Sequence, residues 1–191
     1  GDHRDLHYPL RRQRQMCIRD RDECPDKAAR LQYNKHVVKM ILESAQMLCT
    51  AHHMLGDRDV DGDFVNVPYK KAHINHPSTK WVRASSANFE CLVAHTLAML
   101  DEYTERFGKI HKCAGVLEKV LDLYDPSLFP TDEPTTLPLC MPDEYKDDDT
   151  VQAYRKFYLG AKSGFAAWAH SPAPSWWYHQ GHDEQSGVYD H

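Results

Sequence analysis

No stretch of this chain approaches the ~20 consecutive apolar residues that a membrane-spanning helix requires, so no membrane partner is expected. The 6 cysteines and 13 histidines form no CxxC, HExxH or compact Cys/His spacing, and reduced thiols in a cytosol fit that scatter better than a disulfide or zinc framework. Glycine is scarce, at 9 residues in 191, and no segment alternates apolar and polar positions as a half-buried strand does. Positive charge is not in excess either. With 23 Lys and Arg against 28 Asp and Glu the net charge is −5, so any contact with a polyanion needs a local basic patch. The amino-terminal stretch is charged and shows no secretory signal. What is present can build a core: 41% hydrophobic and 27% charged residues exclude wholesale disorder and suit one domain.

Residues 1–21 carry six arginines with no period and read as a disordered arm or a sequence-assembly artefact. From Pro25 the pattern is helical. Asp26 to Met54 contains no Gly or Pro and predicts one long helix closed by Gly56. A second long helix is expected after His76-Pro77, unbroken from Trp81 to Phe107 and stopped by Gly108. Its stripe Phe89, Leu92, Val93, Thr96, Leu97, Leu100, Tyr103 has core-face spacing. A shorter helix is expected over Cys113 to Tyr124, then an extended crossing loop with five prolines between Asp125 and Pro142. Thr150 is expected to cap a helix to Tyr158 that resumes from Ala161 to Ala169, and Trp176 and Trp177 to dock onto the body. The expectation is an all-α, compact single-domain bundle of about four to five helices over residues 22–177, with a flexible tail at 178–191.

On the first helix, apolar residues cover most of the circumference, which is the signature of a buried helix. The exceptions His36, Lys39, Glu43, Gln46, Thr50 and His53 recur at spacings of three and four and form one narrow polar seam. A single file of His, Lys, Glu and Gln on such a helix suits the lining of a cleft. A carboxylate held there beside apolar walls is placed for acid–base or electrostatic work. The plainer alternative is that Lys39 and Glu43 form an i,i+4 ion pair on a solvent strip.

Elsewhere, Asp57-Arg-Asp59-Val-Asp61-Gly62 opens like a calcium loop, but Pro68 stands where the bidentate Glu belongs, so a flexible acidic turn is favoured. His52, His53, His73, His76, His95 and His111 invite a metal without showing a ligand spacing, and neither metal nor cofactor is expected. Tyr69-Lys-Lys71-Ala-His-Ile-Asn75-His76-Pro-Ser-Thr-Lys80-Trp81-Val-Arg83 is the local basic patch. Cations near a helix start suit a phosphate, and an aromatic ring there suits a base. Arg106, Lys109 and His111 add a second dense polar set at a helix end.

Four segments together resemble a group of small proteins encoded by tailed phages and found in environmental viral sequence. They are residues 33–46, His-Ile-Asn75-His76-Pro77 with Trp81-Val-Arg83, Asp101 through Arg106 and Lys109 to His111, and Met141-Pro-Asp143-Glu144-Tyr145. This likeness covers about residues 22 to 177 and fixes no activity. More distantly, the first helix resembles the active-site helix of the pyrimidine-dimer DNA glycosylases of the endonuclease V type. A His followed seven residues later by the catalytic Glu matches His36 and Glu43, and an Asn-His-Pro found in some members matches Asn75-His76-Pro77. The resemblance implies a compact helical enzyme that cleaves the glycosidic bond of a damaged pyrimidine. In it the Glu would stabilise the cationic sugar and arginines would grip phosphates. The family's arginines beside and three residues beyond the Glu are Leu42 and Gln46 here, so that grip does not transfer, and Lys39 is the nearest substitute. The family's nucleophile is an amino-terminal amine; a route through activated water, with Glu43 as base, does not need it.

The resulting expectation is a phage-derived, DNA-processing enzyme in the cytoplasm of an infected bacterium, acting on a damaged or modified pyrimidine flipped into a pocket beside Glu43. Lys39 and His36 would tune the carboxylate, with Gln46, Lys71, Asn75, His76, Lys80, Trp81, Arg83, Arg106, Lys109 and His111 as base and phosphate contacts. One alternative is an enzyme of pyrimidine hypermodification acting on a modified base or nucleotide. Another is a helical adaptor with no catalysis.

Overall fold

The computed structural model describes residues 25–56, 67–161, 166–169 and 173–174. Among these the protein is all-α: six α-helices, no strand. They are α1 (Pro25–Arg30), α2 (Asn34–Leu55), α3 (Pro77–Ala84), α4 (Ser86–Phe107), α5 (Ala114–Asp122) and α6 (Thr150–Ala161), with 3-10 turns at Pro126–Leu128 and Asp143–Tyr145. The two 22-residue helices, α2 and α4, pack against each other, and α1, α3 and α5 pack around that pair.

Val37, Ile41 and Leu48 of α2 meet Phe89, Leu92, Val93 and Met99 of α4, with Val82, Leu117 and Val120 closing the cluster. Burying each such aliphatic or aromatic side chain contributes about 1.5–3 kcal/mol, so this cluster is the main stabilising feature of the bundle. The stripe expected on α4 is the face that is buried, fully at Phe89 and Thr96 and partly at Leu97, Leu100 and Tyr103. On α2 the all-round burial expected from composition is not found. Val38, Leu42 and Met54 are each about 40% exposed.

Both long helices are interrupted where the sequence shows no breaker. The first is cut at residues 31–33, with Tyr33 extended (φ −60, ψ 152). Several of the backbone groups that the break releases find remote partners. The Arg106 guanidinium donates to the carbonyls of Arg30 (2.9 Å) and Gln32 (2.8 Å), and the Trp168 indole donates to that of Leu31 (3.2 Å). The Asn34 amide donates to the Ala167 carbonyl at 2.9 Å. The second helix is cut at Ser85 (φ −152, ψ 155), whose Oγ accepts from the Asn88 amide at 3.0 Å. There the proline-rich loop supplies the partners: Ser86 N–H donates to the Thr131 carbonyl (3.0 Å) and Thr135 N–H to Asn88 Oδ1 (3.0 Å). Asn88 Nδ2 donates to the Trp81 carbonyl (2.8 Å) and to Thr135 Oγ1 (2.7 Å).

The remaining ends follow local rules. Pro77 opens α3 with His76 Nδ1 accepting from the Ser78 amide, and Gly108 stops α4 in the left-handed region (φ 63). Asp149 rather than Thr150 caps α6, its Oδ1 accepting from the amides of Val151 (2.8 Å) and Gln152 (3.2 Å). Residues 166–168 are not helical, so the expected resumption fails there; they instead brace the α1–α2 break, Trp168 packing edge-on to Tyr33 at 5.0 Å. Cys49, Cys113 and Cys140 are free thiols, but Cys91 is disulfide-bonded, so the reduced-thiol expectation holds for three cysteines and fails for that one. No helix among the described residues is long and apolar enough to cross a membrane. The arm 1–21, the acidic turn within residues 57–66, Trp176, Trp177 and the tail 178–191 lie outside the described residues.

Candidate functional site

A cavity of about 440 Å³ lies between α2, α3, α4 and α6, with Gln32 of the α1–α2 break on its wall. That size is in the range of pockets that hold small organic molecules. On α2 it is lined by His36, Met40, Glu43 and Met47, spaced four, three and four residues apart and therefore on one face, joined by Ser44 and Gln46. Leu92, His95 and Met99 face it from α4, Thr79, Trp81 and Val82 from α3, and Tyr154 and Phe157 from α6. His73 and His76 complete the rim beside Ser78 and Cys140.

The polar seam of α2 divides in two. Its first half, His36, Glu43 and Gln46, lines the cavity. Its second half pins the following loop to the helix: Thr50 Oγ1 accepts from the Ala72 amide at 3.0 Å, and His53 Nε2 donates to the Tyr69 carbonyl at 2.7 Å. That loop carries His73, which holds φ +48, an uncommon conformation for a residue other than glycine. Its carbonyl accepts from the His76 amide at 2.9 Å, and the turn sets both imidazoles at the rim.

Glu43 stands on the cavity wall but is not sealed from water. Its side chain is 40% exposed, and Lys39, 71% exposed, lies 3.4 Å away. The expectation of a carboxylate closed off by apolar walls is corrected to one at the mouth, where it meets the cavity and solvent together. Lys39 itself is not a lining residue.

The other expected contacts scatter. His76 and Trp81 line the cavity, but the Trp81 ring is buried and its Nε1 donates to the Thr135 carbonyl at 3.0 Å, so it serves as wall rather than as an open stacking platform. Lys71, Asn75 and Lys80 are exposed outside the lining, and Arg83 Nη1 donates to the Ile74 carbonyl at 2.8 Å, bracing the rim turn. Arg106 is a clear correction. It is 3% exposed, with Nε donating to Glu102 Oε1 at 2.6 Å and Nη1 reaching Gln32 O and Asn34 Oδ1, which leaves no face for a phosphate. Lys109 is exposed away from the cavity. His111 lines a separate hollow of about 270 Å³ beside Leu100, Ile110 and Leu121, and burial pushes its pKa down. These three were grouped by closeness in sequence, and none of them lines the cavity.

Two groups on the wall were not among the expected base and phosphate contacts. His95 sits inside an apolar stripe, between Leu92 and Met99, and Gln32 lies in the break. Both are buried, and Gln32 Nε2 donates to His95 Nε2 at 3.0 Å. Among the described residues, no three His, Cys, Asp or Glu side chains converge as a metal site would need. Chemically, the cavity combines one carboxylate at the mouth, imidazoles at two levels, neutral hydrogen-bonding groups, and thioether and aromatic walls. Compared with protein-family models, curated proteins and solved structures, the chain matches none.

Proposed function

We propose that the protein is a phage-type enzyme that processes a damaged or modified pyrimidine, received in the α2–α4 cavity with Glu43 as the reacting carboxylate. The observation that carries this reading is the position of Glu43 on the wall of a cavity large enough for a nucleobase, with His36 on the same helix face. As the bond from base to sugar breaks, its electron pair leaves with the base, and the carboxylate stabilises the cationic sugar. A water then adds to the sugar carbon and gives its proton to Glu43. Lys39 orients the carboxylate from the solvent side.

A mononucleotide or free modified base is the second reading of the same site. It is favoured because the cations expected to grip DNA are not gathered there: Arg106 is buried, and Lys109 and His111 lie elsewhere. The test incubates the protein with phage DNAs bearing different pyrimidine modifications, and with the matching nucleotides, and identifies altered nucleosides by mass spectrometry. Loss or change of one modified base is expected, abolished in Glu43→Gln with the melting temperature unchanged. Equal turnover by that variant overturns the assignment. A steep loss of affinity with added salt selects DNA, and a shallow one the nucleotide.

A further inference from the structure

Two residues that line the cavity, Gln32 and Thr79, each bury a neutral polar side-chain atom, Oε1 and Oγ1, that has no hydrogen-bond partner among the described residues. Buried polar groups are almost always satisfied, so two such atoms on the wall of one cavity ask for an explanation. Neither residue is exposed to bulk solvent. In the structure the Gln32 amide turns its Nε2 to His95, and the oxygen is the atom left over. Its main chain is held as well, since the Gln32 carbonyl accepts from Arg106. An amide anchored at both ends is a rigid acceptor, suited to reading a ligand rather than adapting to it.

We propose that Gln32 is a specificity-determining residue of the cavity: its Oε1 accepts a ring N–H from a neutral heterocycle, and the Thr79 hydroxyl engages a second polar atom of the same ligand. This rests on the base-binding reading above and deepens it by naming the edge that is recognised. The ligand class is a cyclic amide or imide with an N–H beside a carbonyl, the edge that thymine and uracil present. Met40, Met47 and Met99 share the lining, and unbranched thioethers shift at small cost to admit that edge. A ligand without the donor leaves the acceptor buried and unpaired, which is the way a site built for a hydrogen bond rejects an analogue.

The test titrates the full chain calorimetrically with thymidine, N3-methylthymidine, inosine and 1-methylinosine. Thymidine is expected to bind at least about tenfold more tightly than its N-methyl analogue. Gln32→Met should remove that preference, whereas Gln32→Glu, which keeps an acceptor, should retain it; the second variant decides if the first does not fold. Equal binding of thymidine and N3-methylthymidine overturns the role of Gln32 and leaves the pyrimidine reading standing. Discrimination between the two inosines with no binding of either thymidine supports Gln32 and overturns the pyrimidine reading. Absence of binding to all four overturns both.

Discussion

Two carboxylate–cation pairs share the i,i+4 spacing, Lys39–Glu43 on α2 and Glu102–Arg106 on α4, and their surroundings are opposite. The first is largely open, with side chains 71% and 40% exposed; the second is sealed, at 3% for Glu102 and 0% for Arg106. The sealed pair has its acid on the amino-terminal side, the more favourable direction along a helix, and it also holds the α1–α2 break through main-chain carbonyls. The open pair leaves its carboxylate at the mouth of a cavity. Spacing along a helix therefore brings an acid and a cation together in both cases, while burial decides whether the result is a sealed structural clamp or an open pair at a cavity mouth.

The largest test of that contrast is Arg106→Met, which strands a buried carboxylate and several carbonyls. It is expected to cost about 3–5 kcal/mol in urea unfolding. Adding Glu102→Met should recover part of this loss but not all, because the carbonyls of Arg30 and Gln32 remain without a donor; full recovery would show that the clamp on the break contributes nothing. Asn88→Ala probes the other break, where three side-chain hydrogen bonds join α3, α4 and the Thr135 loop. About 2–3 kcal/mol is expected there, from the same denaturation curves. At the open pair, Lys39→Ala should change stability by less than ~0.5 kcal/mol, and if Glu43 is the reacting carboxylate we propose, it should also lower turnover. A large stability loss at Lys39 would erase the distinction between the two pairs.

The smallest effect is a pH dependence. His52 is buried, and burial pushes its pKa below the ordinary 6.5, against a hydrogen bond from its ring to the Val120 carbonyl that acts in the other direction. In the unfolded chain the ring gains its proton as pH falls through about 6.5, whereas in the folded protein it does so only at lower pH. The unfolded state thus binds more protons in that window, and stability present above pH 6.5 is lost as the pH falls through the folded value. His111, also pushed down by burial, adds in the same sense. The urea midpoint should drop between pH 7.5 and 5, less steeply in His52→Gln; an identical slope in the variant removes His52 from the account.

Much of the bundle could be read from residue pattern alone. The α4 stripe, the Pro77 start and the Gly108 stop are written in side-chain periodicity and backbone preference, and those act locally. The face of α2 bearing His36 and Glu43 was legible for the same reason: a helix places residues three and four apart on one side wherever it lies. The list of phosphate contacts was less legible. Arg106 reads as a surface cation until its carbonyl partners 72 to 76 residues earlier in the chain are seen. Gln32 carried no signal, and His95 only that of one among several scattered histidines, because their meaning is their pairing across 63 residues.

What the sequence by itself determined is that this chain makes helices and which side of each is apolar, since propensity, periodicity and end signals are properties of neighbouring residues. What tertiary structure alone decided is where two apparently continuous helices break. A helix without Gly or Pro gives up its own hydrogen bonds only where distant groups replace them, here Arg106 and Trp168 at one break and Thr131 and Thr135 at the other. The first of those breaks sets Gln32 on the cavity wall. No local pattern encodes either break, because the compensating partners are brought near only by the fold.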